Sequence, residues 1–118
     1  MDAEEFKRRT RLFGLRIYKL VKSLPHIPMI QTLGGQLLRA GTSVGANYRA
    51  ACLARSVADF IAKLKIVEEE CDEAIYWLEF LTEAGEIKRE SCAELIQEGH
   101  EILAMAVASI KTARTKLR

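Results

Sequence analysis

Residues 57–81 read VADFIAKLKIVEEECDEAIYWLEFL, and two interleaved heptad series run through them. Val57, Leu64, Cys71 and Leu78 recur every seven residues, and Phe60, Val67, Ala74 and Leu81 follow three positions behind. Alternating steps of three and four put one apolar stripe along a single helix face, the pattern of left-handed helix packing. Ser56 followed three residues later by Asp59 is a variant capping box that starts this helix near Val57. Gly85, within Glu83-Ala84-Gly85-Glu86, supplies the stop.

The same spacing extends outward in both directions. Phe6, Thr10, Phe13, Ile17, Leu20 and Leu24 form a stripe before it, and Leu95, Gly99, Ile102, Ala106, Ile110, Ala113 and Leu117 form one after it. Pro25-His26-Ile27-Pro28 breaks the chain, with Pro28 placed where a first helical residue needs no N–H. Ser91-x-x-Glu94 offers a capping box for the last segment. These signals predict helices at about 3–24, 28–54, 57–84 and 91–117. No segment keeps the period-two alternation of a strand. Short connections favour antiparallel neighbours, so the expected fold is all-α, an up-down-up-down four-helix bundle filling a single domain, 1–118.

Composition agrees with that class. A chain of 118 residues that is 49% hydrophobic and 29% charged is too apolar for disorder and suits one core. No uncharged apolar run approaches ~18 residues, so no membrane partner is expected. The start, Met1-Asp2-Ala3-Glu4-Glu5-Phe6-Lys7, lacks the basic-then-apolar order of a secretion signal. Cys52, Cys71 and Cys92 are odd in number and widely spaced, which argues against a disulfide framework or zinc knuckle and fits a reducing cytoplasm.

The third helix carries more apolar bulk than its stripe requires. Flanking core positions absorb Ile61 and Ile75, whereas Ile66, Tyr76, Trp77 and Phe80 are left as a candidate contact surface, first of all for self-association. The second segment is rich in small residues instead. Gly41-x-x-x-Gly45 matches the spacing of tight helix crossings, either within the bundle or at an oligomer or partner interface. A phosphate loop does not fit, because Gly35 to Gly41 leads into Thr42-Ser43 with no lysine and no preceding strand.

Alternating helix direction also sorts the charge, although the net value is only +2. One end collects residues 1–14, 44–66 and 106–118. It holds the cations Lys7, Arg8, Arg9, Arg11, Arg49, Arg55, Lys63, Lys65, Lys111, Arg114, Lys116 and Arg118 against four acids, a net of +8. Dipole compensation accounts for some of these. The remainder form an electrostatic footprint for a phosphate backbone, RNA or DNA, recognised by charge and shape. Stacking readout is not expected, since no aromatics interleave with the cations.

Material for chemistry is scarce. His26 and His100 are isolated, and the acidic run Glu68-Glu69-Glu70-x-Asp72-Glu73 lacks the Glu-x-x-His pairs of a di-metal bundle. Cys71 falls on the core stripe rather than in an electropositive, accessible site. No metal, cofactor or catalytic residue is expected. Arg39, Ser43 and Asn47, spaced by four along helix two, form a polar set that Glu70 or Glu73 could answer across the bundle, a network fixing helix register.

Gln36-Leu37-Leu38-Arg39-Ala40-Gly41-Thr42-Ser43-Val44-Gly45-Ala46-Asn47-Tyr48-Arg49, then Ala54-Arg55-Ser56-x-Ala58-Asp59-Phe60 and Lys63-Leu64-x-Ile66-Val67, fall in order along the chain. With Glu70-x-Asp72-Glu73-x-x-Tyr76-Trp77-Leu78-Glu79, they resemble the bacterial four-helix bundle proteins encoded within intervening sequences of 23S ribosomal RNA genes. That family is in turn distantly similar to the accessory protein of diversity-generating retroelements. The resemblance implies a homopentameric ring, an unassigned nucleic-acid role, and Arg39, Ser43, Asn47 and Glu73 as a polar signature. One departure stands out: Ala50 occupies the position after Asn-Tyr-Arg where the family commonly has glutamate. The expectation is therefore a non-enzymatic, cytoplasmic oligomer that binds nucleic acid through its basic end. The alternative is a structural or adaptor protein whose partner is another protein.

Overall fold

The computed structural model describes residues 2–117. Four helices account for nearly all of them: α1 (Ala3–Lys22), α2 (Pro28–Cys52), α3 (Val57–Glu83) and α4 (Arg89–Thr115). Each helix packs extensively on the next in sequence, while α1 and α4 close the bundle along its least intimate edge. The result is a rod of 50 × 23 × 21 Å, antiparallel up-down-up-down, with no strand among the described residues.

Local chemistry explains the boundaries. The Asp2 carboxylate accepts the Glu5 N–H at 2.8 Å and opens α1. Pro28 begins α2 without any side-chain cap. Ser56 Oγ accepts the Asp59 N–H at 3.0 Å, as the capping-box reading expects. Gly85, at φ +82°, lets the Glu86 N–H fold back to the Leu81 carbonyl at 2.9 Å and ends α3.

Several expected boundaries differ: α1 ends at Lys22 rather than 24, α2 at Cys52 rather than 54, α3 at Glu83 rather than 84, and both ends of α4 move. α4 starts at Arg89, so the Ser91–Glu94 box is not its cap, and Lys88 occupies that place with no side-chain bond. The buried residues Ile87 and Cys92 set the entry instead, Cys92 Sγ lying 3.1 Å from Thr82 Oγ1 on α3. At the other end α4 stops at Thr115, which leaves Leu117 outside the core and 57% exposed.

The three stripes meet in one core. Phe13, Ile17, Leu37, Leu64, Leu78, Leu81 and Ile102 are fully buried within it. The thiol of Cys71 donates to the Gly99 carbonyl at 3.2 Å, and burial pushes its pKa up to about 12. It is a packing residue of the core.

The glycines of α2 are used inside the chain. A Cβ on Gly41 would lie 2.4 Å from Ile17 Cδ1, and one on Gly45 would lie 3.3 Å from the Thr10 carbonyl oxygen. Gly14 of α1 meets the Gly41 carbonyl oxygen and the Thr42 Cα in return. The Gly41–Gly45 pair thus serves the α1–α2 crossing. Of the two expected places, within the bundle or at an interface, the single chain uses Gly41 in the first, buried against Ile17.

Candidate nucleic-acid interface

All four helix ends carrying the cations converge. A cleft of about 570 Å³ is lined by Ala3 of α1, Ala51 and Cys52 of α2, Arg55 and Ser56 of the connection, Val57 and Phe60 of α3, and Ala113 and Lys116 of α4. Alternating chain direction therefore does bring the N-terminus, the α2–α3 connection and the end of α4 to one pole. Arg55 and Lys116 stand at the cleft itself, with Lys111 and Arg114 exposed on the adjoining last turns of α4. Arg118 lies outside the described residues.

The cations are not equivalent. Lys7 binds Glu4 at 3.2 Å, Arg8 binds Glu5 at 2.6 Å and Lys63 binds Asp59 at 3.1 Å, each within its own helix. The Arg8 hydrogen bond holds the Glu5 carboxyl below its ordinary value. Arg9 is committed more deeply: its guanidinium, largely covered, binds Glu98 and Glu101 at 2.5 and 2.9 Å and bridges α1 to α4. The bond to Glu98 raises the Arg9 pKa, and the bond from Arg9 lowers that of Glu101. Among the described residues Arg11, Arg49, Arg55, Lys65, Lys111, Arg114 and Lys116 make no ion pair.

Folding brings two aromatic rings to the cleft beside the cations. Phe60 and Tyr48 reach the cleft from different helices. Tyr48 is buried and stacked on Phe6, with ring centroids 4.3 Å apart. Burial, and then the neighbouring Cys52 thiol, push its phenol above the ordinary value.

Lys7, Arg11 and Arg49 line a second hollow rather than the end. It is a groove of about 560 Å³ along the outer side of α1 and α2, floored by Thr10, Gly14, Gly45 and Ala46 and bordered by Leu15 and Tyr18. Sequence reasoning missed this groove because it sorted charge only from end to end. The signal was present: no Asp or Glu occurs between Phe6 and Ala58, while ten cations do. The α1–α2 side is consequently basic and the α3–α4 side acidic.

Of the polar set only Arg39 crosses to α3, while Ser43 and Asn47 bond within α2. Arg39 reaches Glu70 at 3.0 Å and Glu73 at 2.5 Å across the α2–α3 seam, and the Trp77 indole N–H donates to Glu73 at 3.2 Å. The hydrogen bond to Glu73 raises the Arg39 pKa. Ser43 and Asn47 bond back along α2, Ser43 Oγ to the Arg39 carbonyl and Asn47 Nδ2 to the Ser43 carbonyl. Ala50 is half-buried near the end of α2. On α3, Tyr76, Trp77 and Phe80 form an aromatic cluster with centroids 5.0–6.0 Å apart. Tyr76 is 54% exposed, Phe80 40% and Ile66 38%, so this surface is open in the single chain. Among the described residues no group of His, Cys, Asp and Glu is arranged to hold a metal ion, and no helix is long and apolar enough to cross a membrane.

The family model for the 23S rRNA-intervening sequence protein matches residues 4–108. The chain belongs to this family. Among solved structures, a crystal structure of a protein of unknown function from the S23 ribosomal protein family of Bacteroides thetaiotaomicron VPI-5482 is similar. It is 39% identical, with a TM-score of 0.85, over 90% of this chain and 98% of that one. No curated protein matches. Within this intervening-sequence family the bundle is thus shared, and the function of that relative is itself unknown.

Proposed function

We propose that this intervening-sequence family member is a non-enzymatic, cytoplasmic bundle that assembles with copies of itself and binds RNA or DNA through its basic end. The observation that carries this reading is the convergence of all four helix ends on one cleft beside Arg55, Lys111, Arg114 and Lys116, none of which has an acidic partner among the described residues. Unpaired cations keep their full attraction for phosphate, because no internal carboxylate has to be displaced first. Contacts of this kind orient a nucleic acid without reading its bases. Self-association is supported by the open aromatic surface of α3, and the family resemblance adds the expectation of a ring of five. The three cysteines are unpaired thiols, which suits a reducing compartment.

Titration with structured RNA and duplex DNA at low and moderate salt tests the binding. Affinity should fall steeply with salt and depend little on sequence. Replacing Arg55, Lys111, Arg114 and Lys116 by glutamine should make the salt dependence on duplex DNA shallower, by about 0.9 in slope for each phosphate that is no longer neutralised. No binding even at low salt removes this reading and leaves an adaptor for a protein partner. Affinity unchanged in the glutamine variant removes the basic end as the site.

A further inference from the structure

Two uncovered stripes on this bundle match each other in pattern and oppose each other in charge. On α1, Arg8, Arg11, Leu15, Tyr18 and Lys22 follow at steps of three, four, three and four, and all are exposed. On α3, Ile66, Glu69, Glu73, Tyr76, Phe80 and Glu83 follow at the same alternating steps, all exposed except the half-buried Glu73. Steps of three and four are what helices use to pack on one another. Inside this chain each helix already spends one such stripe on the core, so these are second stripes, covered only where Arg8 binds Glu5 and where Arg39 and Trp77 bind Glu73.

We infer that the α1 stripe of one copy packs along the α3 stripe of a second copy, parallel and in register. The inference rests on the self-association reading above and names its two surfaces. Advancing 61 or 62 residues from α1 pairs Arg8 with Glu69, Arg11 with Glu73, Leu15 with Tyr76, Tyr18 with Phe80 and Lys22 with Glu83. Every cation meets an acid and every apolar residue meets an aromatic ring.

Charge selects a second copy as the occupant and also selects which face it presents. Residues 66–83 carry seven acids and no cation, whereas residues 6–58 carry no acid. Packing α1 on α1 would oppose cations, and α3 on α3 would oppose acids, so a two-fold contact of like faces is disfavoured. A head-to-tail contact satisfies both faces at once. Shape agrees with this, because Gly14, Gly45 and Ala46, with little or no side chain, line a groove of about 560 Å³ beside Leu15 and Tyr18, which leaves room for rings. α1 and α3 already run the same way within the chain, so rotation about the long axis brings a neighbour's α3 alongside in the parallel sense.

The test is charge reversal at two matched pairs, followed by mass measurement in solution. Arg8→Glu with Lys22→Glu should reduce the assembly to the 13.3 kDa monomer, and so should Glu69→Lys with Glu83→Lys. Combining all four substitutions should restore the wild-type mass. Helicity should change little in any variant, because all four positions are exposed. As a second measurement, Leu15→Cys with Tyr76→Cys, in a Cys52→Ser background, should cross-link between copies on oxidation. A wild-type assembly that ignores both reversals, or a combined variant that stays monomeric, overturns the stripe pairing alone. A wild-type protein that is monomeric at all accessible concentrations overturns self-association and this inference together.

Discussion

Gly41→Ala tests where the small residues of α2 spend their lack of bulk. A helix-interior glycine costs about 1 kcal/mol against alanine, so an alanine free of neighbours should stabilise by that amount. Gly35 is such a site, with nothing within 4 Å of an added Cβ. Gly41 is the opposite: its added Cβ would meet Ile17 at 2.4 Å from Cδ1, 3.0 Å from Cγ2 and 3.2 Å from Cβ. The Cδ1 end can rotate away, but Ile17 is fully buried and its own Cβ moves only if α1 moves. Overpacking of this kind costs about 1–3 kcal/mol. At the upper end of that range the propensity gain leaves a net loss of about 2 kcal/mol. Urea unfolding at one fixed protein concentration should show Gly41→Ala with a lowered midpoint and an unchanged slope, and Gly35→Ala with a raised midpoint. A Gly41→Ala protein stabilised as much as Gly35→Ala would refute an α1–α2 crossing built on this contact. If its subunit assembly alone failed, Gly41 would instead face a neighbouring chain.

Arg9→Gln should loosen the α1–α4 edge by about 1–3 kcal/mol, since Glu98 then stays partly covered without its cation. Faster amide exchange confined to α1 and α4 would check it, and uniform protection would count against it. The Glu101 carboxyl is held below its usual 4.5 by Arg9, so its contribution is present above that value and fades as pH falls through the lower, folded one. Acid titration of wild type should therefore weaken this edge as pH falls below the ordinary 4.5, and Arg9→Gln should lose that dependence. Gly85→Ala places a Cβ at φ +82° and should cost about 1 kcal/mol with no clash to relieve, read as a lower melting temperature. Should melting stay put, the α3 stop is not set by Gly85.

Helix number, order and class were legible in the chain because a buried helix face must repeat every three or four residues, and Leu64, Val67, Cys71, Ala74 and Leu78 do so without interruption. Ser56 and Gly85 were equally legible, since each acts on neighbours within a few residues. The start of α4 was not. Ser91 looked like a cap from local sequence, but burying Ile87 and Cys92 against α3 begins the helix earlier, and that contact is made between side chains on different helices.

The candidate sites divide along the same line. Periodicity and residue type determine which helices exist, which residues are apolar, and that cations accumulate near both termini and the middle of the chain. Tertiary structure alone decides what each cation does: Arg9 is consumed by Glu98 and Glu101, Arg11 and Arg49 turn to a side groove, and Arg55 meets Lys116 at the pole. It also decides that Gly41 meets Ile17 of α1. The physical reason is range. Helix propensity and capping act over one or two turns, whereas electrostatic pairing and close packing depend on distance in space, which only the assembled bundle sets.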